Sequence, residues 1–129
     1  MIRPAAFSVL IGLMWLAPLC AAAAEFETVT VHLSNFAFAP DRLHLRAGVP
    51  VRLHIVNDSS GSHNFSAPAL FLLGSSFPDG TPPASGKVEV GPNGSEDILL
   101  VPHASGSYTF ECTHFLHSLF NMAGSIVVE

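Results

Sequence analysis

From residue 28 onward the chain alternates apolar and polar residues with the two-residue period of a half-buried strand. In TVTVHL, Val29, Val31 and Leu33 share one face while Thr28, Thr30 and His32 take the other. RLHLR sets Leu43 and Leu45 against His44 and Arg46, and VRLHIV sets Val51, Leu53 and Ile55 against Arg52 and His54. The same reading predicts strands over 87–90, 95–101, 106–112 and 124–128. Gly48-Val49-Pro50, Pro78-Asp79-Gly80 and Gly91-Pro92-Asn93-Gly94 mark turns between them. Short strands punctuated in this way predict an all-β sandwich or barrel. One stretch, APALFLLGSSFPDGTPPASG, breaks the alternation. It predicts a short helix or packed loop around 68–86, lying over one side of the sheet.

Strand parity also sorts the histidines. His32, His44 and His54 fall on the polar faces of their strands, and His103 follows Pro102 in a turn-like segment, so all four are expected at the surface. Tyr108, Phe110 and Cys112 share one parity, which points the sulfur of Cys112 inward at the end of its strand.

The N-terminus has a different character. Residues 1–24 combine Arg3, an apolar run and a small-residue end at Ala22-Ala23-Ala24, the layout of a secretory signal peptide. The mature chain then begins near Glu25, in the periplasm or otherwise exported. Retained, the same run is long enough to anchor the chain in a membrane. Its loss removes Cys20 and Arg3, so four basic residues face all ten acids and the formal charge goes from −5 to −6. That balance argues against nucleic acid and anionic lipid surfaces, which call for clustered Lys and Arg, and leaves room for a basic protein partner. The 105 residues of 25–129 make one domain with a single core.

Cys112 is left as a lone cysteine in an oxidising compartment. It stands in YTFECTHFLHSLFNMAGSIVV as Cys112-x-x-x-x-His117-x-x-x-x-Met122, with thiolate, imidazole and thioether evenly spaced on one loop. Soft sulfur donors hold Cu(I), imidazole accepts both copper oxidation states, and two imidazoles with a thiolate and a weak axial Met make an electron-transfer site. The second imidazole is His63, in the polar NDSSGSHNFSAP segment after a strand-like run. His114 also lies near Cys112 and competes with His117 for the position in the loop; the even spacing favours His117.

These residues give the chain a resemblance to the small blue copper proteins, the cupredoxins of the plastocyanin, azurin, auracyanin and rusticyanin type. The similarity runs from NFAFAPDRLHLRAGVPVRLHIVND through His63-Asn64 to GSYTFECT, His117, Met122 and GSIVV. It implies a cupredoxin-like Greek-key β-sandwich holding one copper ion, with His63, Cys112 and His117 as equatorial ligands and Met122 as the axial one. It further implies that Asn64 and Thr113 hydrogen-bond near the thiolate and tie the two ligand loops together. Family members usually carry Pro or Gly between the Cys and the second His. Here His114, Phe115 and Leu116 stand instead, so the loop is helical or looser.

The function expected is that of an exported one-electron carrier, monomeric, with a redox protein as partner and no small-molecule substrate. In the family an apolar patch around the second His docks partners, a part that Phe115, Leu116, Leu119 and Phe120 are placed to play. The alternative is a copper-trafficking protein that loads another enzyme. An enzyme in its own right is not expected, because the multicopper oxidases and nitrite reductases need further His pairs and further domains. Zinc is the competing metal, and the Met donor argues against it.

Overall fold

The computed structural model describes residues 15–20, 25–114, 116 and 119–129. Ten strands are present among them: β1 (Glu27–Ser34), β2 (Ala37–Ala39), β3 (Arg42–Leu45), β4 (Val51–Asn57), β5 (His63–Ser66), β6 (Ser75–Ser76), β7 (Lys87–Val90), β8 (Ser95–Pro102), β9 (Gly106–Glu111) and β10 (Ala123–Val128). They form two five-stranded sheets, ordered β2-β1-β4-β8-β6 and β3-β10-β9-β5-β7. β1 runs parallel to β4 and β3 parallel to β10, and the other pairings are antiparallel.

The alternation read from the sequence becomes burial. Val51, Leu53 and Ile55 of β4 face the core beside Val31 and Leu33 of β1, while His32 and His44 are exposed. His54 is half-buried, because its ring nitrogen engages Asp97 on neighbouring β8, and Arg52 reaches the same carboxylate at 3.3 Å. His103 is exposed as expected.

Three strands escaped the sequence reading. β2 and β6 are too short to show a period. β5 fails the rule because all four of its residues are buried, leaving no polar face to alternate with. The segment around 68–86 does carry a short helix, Ala69–Leu73, which buries Leu70 and Phe71.

Phenylalanines fill the space between the sheets. Phe65 of β5 stacks on Phe110 of β9 with centroids 4.6 Å apart. Phe38 of β2 meets Phe110 edge-on at 4.9 Å, and Phe71 of the short helix lies 6.0 Å from Phe65. Offset and edge-on rings of this kind add about 0.5–1.5 kcal/mol per pair beyond their buried area. Residues 15–20 lie exposed outside this core, and the rest of the expected leader, 1–14 and 21–24, falls outside the described residues. Among the described residues no helix is long and apolar enough to cross a membrane.

Packing leaves no room at Gly124 of β10. A Cβ there would stand 2.3 Å from Phe110 Cζ and 2.4 Å from the Asp41 carbonyl oxygen. Gly124→Ala must push Phe110 off its stack and is expected to cost about 1–3 kcal/mol, read as a lowered denaturation midpoint at unchanged slope.

Candidate metal centre

Three of the four sequence-predicted donors converge at one end of the second sheet. Cys112 directly follows β9, Met122 directly precedes β10, and β9 pairs with β10 so that Glu111 stands opposite Ala123. That register brings the two sulfur residues to the two mouths of one connection, where the Cys112 N–H donates to the Met122 carbonyl at 3.1 Å. His63 opens β5, which joins β9 through the Ser66–Glu111 pairing. It is thus the first residue of a buried strand, where the sequence placed it in a loop. His117 lies outside the described residues, as do Phe115 and Ser118.

The donors are shut away from water. Cys112 and His63 are 0% exposed and Met122 1%. The Cys112 sulfur stands 4.0 Å from His63 Nδ1. Among the described residues no three His, Cys, Asp or Glu side chains gather as a metal cluster, so this part of the chain supplies one thiol, one imidazole and an adjacent methionine.

Asn64 binds these pieces to one another. Its backbone N–H points at the Cys112 sulfur at 3.5 Å. Its side-chain amide donates to Thr113 Oγ1 at 2.7 Å and accepts from the Thr113 backbone N–H at 2.8 Å. The β5 start and the segment after β9 are therefore tied by one side chain–side chain bond and one backbone–side chain bond, the link that the family resemblance implied.

His114 takes part in the same network from outside. Its Nε2 lies 3.0 Å from Glu89 Oε2 on β7, and Glu89 Oε1 accepts from Asn64 Nδ2 at 2.9 Å. Burial alone would push the Glu89 carboxyl upward. The hydrogen bonds from Asn64 and His114 and the charges of His114 and Lys87 outweigh it, holding that carboxyl below the ordinary glutamate value. Sequence reasoning passed over Glu89 because it sits on the exposed face of a four-residue strand like any solvated acid.

Large apolar side chains stand exposed in the connection between Cys112 and Met122. Leu116, Leu119 and Phe120 are 58%, 66% and 66% exposed. The Phe120 N–H donates to the Leu116 carbonyl at 3.3 Å, a helical turn in place of the missing Pro or Gly. Phe36, in the β1–β2 turn, joins the patch by meeting Phe120 edge-on at 4.8 Å. It carries a positive φ of 64°, and no pattern in the sequence singles it out.

A depressed carboxyl pKa adds stability that is present above the unfolded value and fades as pH falls through the folded one. The stability difference between the native chain and Glu89→Gln should therefore be positive at neutral pH and shrink toward zero between about pH 5 and pH 3. Because Glu89 is more than half exposed, solvent screening keeps that difference to a few tenths of a kcal/mol, roughly. Denaturant midpoints across that range measure it, and a difference independent of pH would contradict the assignment.

A comparison with curated protein sequences finds no match. Among solved structures, dithionite-reduced auracyanin from the photosynthetic bacterium Roseiflexus castenholzii superposes with a TM-score of 0.60 at 20% identity, over 79% of this chain and 96% of that one. Auracyanin B gives 0.58 at 23% identity, over 79% and 88%. Amicyanin from Paracoccus versutus gives 0.53 at 17% identity, over 80% and 82%. At these identities the likeness establishes the β-sandwich fold. The family model for the cupredoxin-like domain matches residues 6–128, nearly the whole chain, and the protein belongs to the cupredoxin-like family.

Proposed function

We propose that this chain is an exported type 1 copper protein that carries one electron at a time, with no substrate turned over, and that His63, Cys112, His117 and Met122 hold its single copper ion. The observation that carries the reading is the buried pair of Cys112 sulfur and His63 Nδ1, 4.0 Å apart on two strands already locked by Asn64. A copper ion bound there supplies the one-electron Cu(II)/Cu(I) couple. The donors suit it, since thiolate and thioether favour Cu(I) and imidazole serves both states.

The chain's own part is to keep those donors from moving. Electron exchange is fast when little rearranges, and donors that begin or end paired strands are held by the ladder itself. The Asn64 N–H points at the Cys112 sulfur, and the apolar walls exclude water. His114 has a carboxylate partner in Glu89, which supports His117 as the loop's ligand. Leu116, Leu119, Phe120 and Phe36 offer a redox protein an apolar landing close to Cys112 and Met122 in sequence, and two of the comparison structures, both auracyanins, share the fold that presents such a loop. Residues 1–24 act as the export signal, and the mature domain, monomeric in this reading, is 25–129.

An absorption spectrum of the copper-loaded chain tests this. An intense thiolate charge-transfer band in the visible is expected, lost in Cys112→Ala while the far-UV spectrum stays β-rich. His117→Gly should open a position that added imidazole refills, and His114→Ala should leave the band nearly unchanged. A band that survives in Cys112→Ala sinks the copper–thiolate assignment. Copper binding without any such band would favour the trafficking alternative.

The landing patch makes a separate prediction. Leu119→Lys places a charge where a partner must exclude water, and electron self-exchange should slow by about tenfold, the factor set by ~1.4 kcal/mol of lost docking energy. The visible band and copper content should be unchanged, since Leu119 is exposed. Line broadening in NMR of mixed oxidation states measures the exchange.

A further inference from the structure

An imidazole ligates a metal only through the nitrogen that carries a lone pair, and the hydrogen bonds around the ring decide which nitrogen that is. For His63 the choice can be traced back through two side chains. Asn57, the buried last residue of β4, turns its amide nitrogen toward three backbone carbonyls: Gly61 at 2.8 Å, Val90 at 3.1 Å and Gly91 at 3.0 Å. A flipped amide would press its oxygen against three acceptors, so the orientation is fixed by the network.

The amide oxygen of Asn57 consequently faces Ser59. It accepts from the Ser59 backbone N–H at 3.0 Å and from the Ser59 hydroxyl at 2.9 Å. That hydroxyl also lies 3.1 Å from the Gly61 carbonyl, another pure acceptor. Its single proton goes to one of these oxygens, and its lone pairs are left for His63 Nε2, 2.8 Å away. Nε2 is therefore the protonated nitrogen and donates. The lone pair falls on Nδ1, the nitrogen on the Cys112 side.

We propose that Asn57 and Ser59 are positioning residues which hold His63 as its Nε2–H tautomer and so present Nδ1 toward Cys112 as a preformed ligand nitrogen. The relay is anchored at both ends, because Asn57 closes β4 of one sheet while bonding Val90 of the other, and the Asn93 N–H holds the Ser59 carbonyl at 3.0 Å. A hydrogen-bonded ring partner of this kind typically changes metal affinity by 10–100-fold, roughly, when removed. The proposal rests on His63 being a copper ligand, yet its first readout needs no metal.

Long-range proton–nitrogen NMR of the metal-free full chain at mildly alkaline pH reads the tautomer directly. His63 should show protonated Nε2 and bare Nδ1 in the native chain, a tautomer mixture in Ser59→Ala, and the native pattern again in Ser59→Thr. Cu(I) competition with a chelator should then give about tenfold or more weaker binding for Ser59→Ala and near-native binding for Ser59→Thr. An Nδ1-protonated ring or a mixture in the native chain overturns the proposal whatever the variants do, and so does an unaltered pattern in a folded Ser59→Ala. If the tautomer is as expected but the native chain binds no copper, the positioning stands and the copper reading fails.

Discussion

The interaction on which the rest depends is the clamp that Asn64 throws across the gap between β5 and the segment after β9. Two stretches that carry proposed copper ligands, 49 residues apart in sequence, meet there through reciprocal bonds between the Asn64 amide and Thr113, while the Asn64 N–H points at sulfur. Burying a thiol and an imidazole side by side is costly unless their polar atoms are satisfied. The clamp satisfies the backbone N–H of Thr113 and fixes where the sulfur sits. Without it, the backbone ladder between β5 and β9 is reduced to the Ser66–Glu111 pairing.

Below the clamp, the aromatic stack makes the two strands one body. Phe65 is two residues from His63 and Phe110 two from Cys112, so each shares a strand face with its donor. With their rings 4.6 Å apart, a shift of either strand would have to break that stack as well as the clamp. Gly124 is part of the same constraint, since its missing side chain leaves room for the edge of the Phe110 ring beside β10. Preorganisation at this site is accordingly a property of the core, extended upward by one residue pair at a time.

Most of this was legible in the residues, and the exceptions have physical causes. Seven strands were visible because one face of each is wet, which writes a two-residue period into the chain. β5 was invisible for the opposite reason, being buried on both faces, and with it went the placement of His63 on a strand. Cys112 and Met122 stood out in the sequence because a thiol left alone once the expected leader is removed, evenly spaced from His and Met, has few other roles, and the structure brings both to the mouths of one connection. Asn64 and Thr113 came from family resemblance rather than from any local rule. Asn57, Ser59, Glu89 and Phe36 could not be read at all, because each matters only through partners brought near by pairing of distant strands.

The connection from Cys112 to Met122 divides its work by depth. Its two ends are buried and fastened to each other, with the Cys112 N–H on the Met122 carbonyl, whereas Leu116, Leu119 and Phe120 stand more than half exposed at its tip. At that tip Phe120 meets Phe36 of the β1–β2 turn edge-on. His114 sits at the border, its ring drawn sideways to Glu89 rather than inward. In the proposed function, partner encounter and metal tuning would therefore answer to separate substitutions within the same eleven residues.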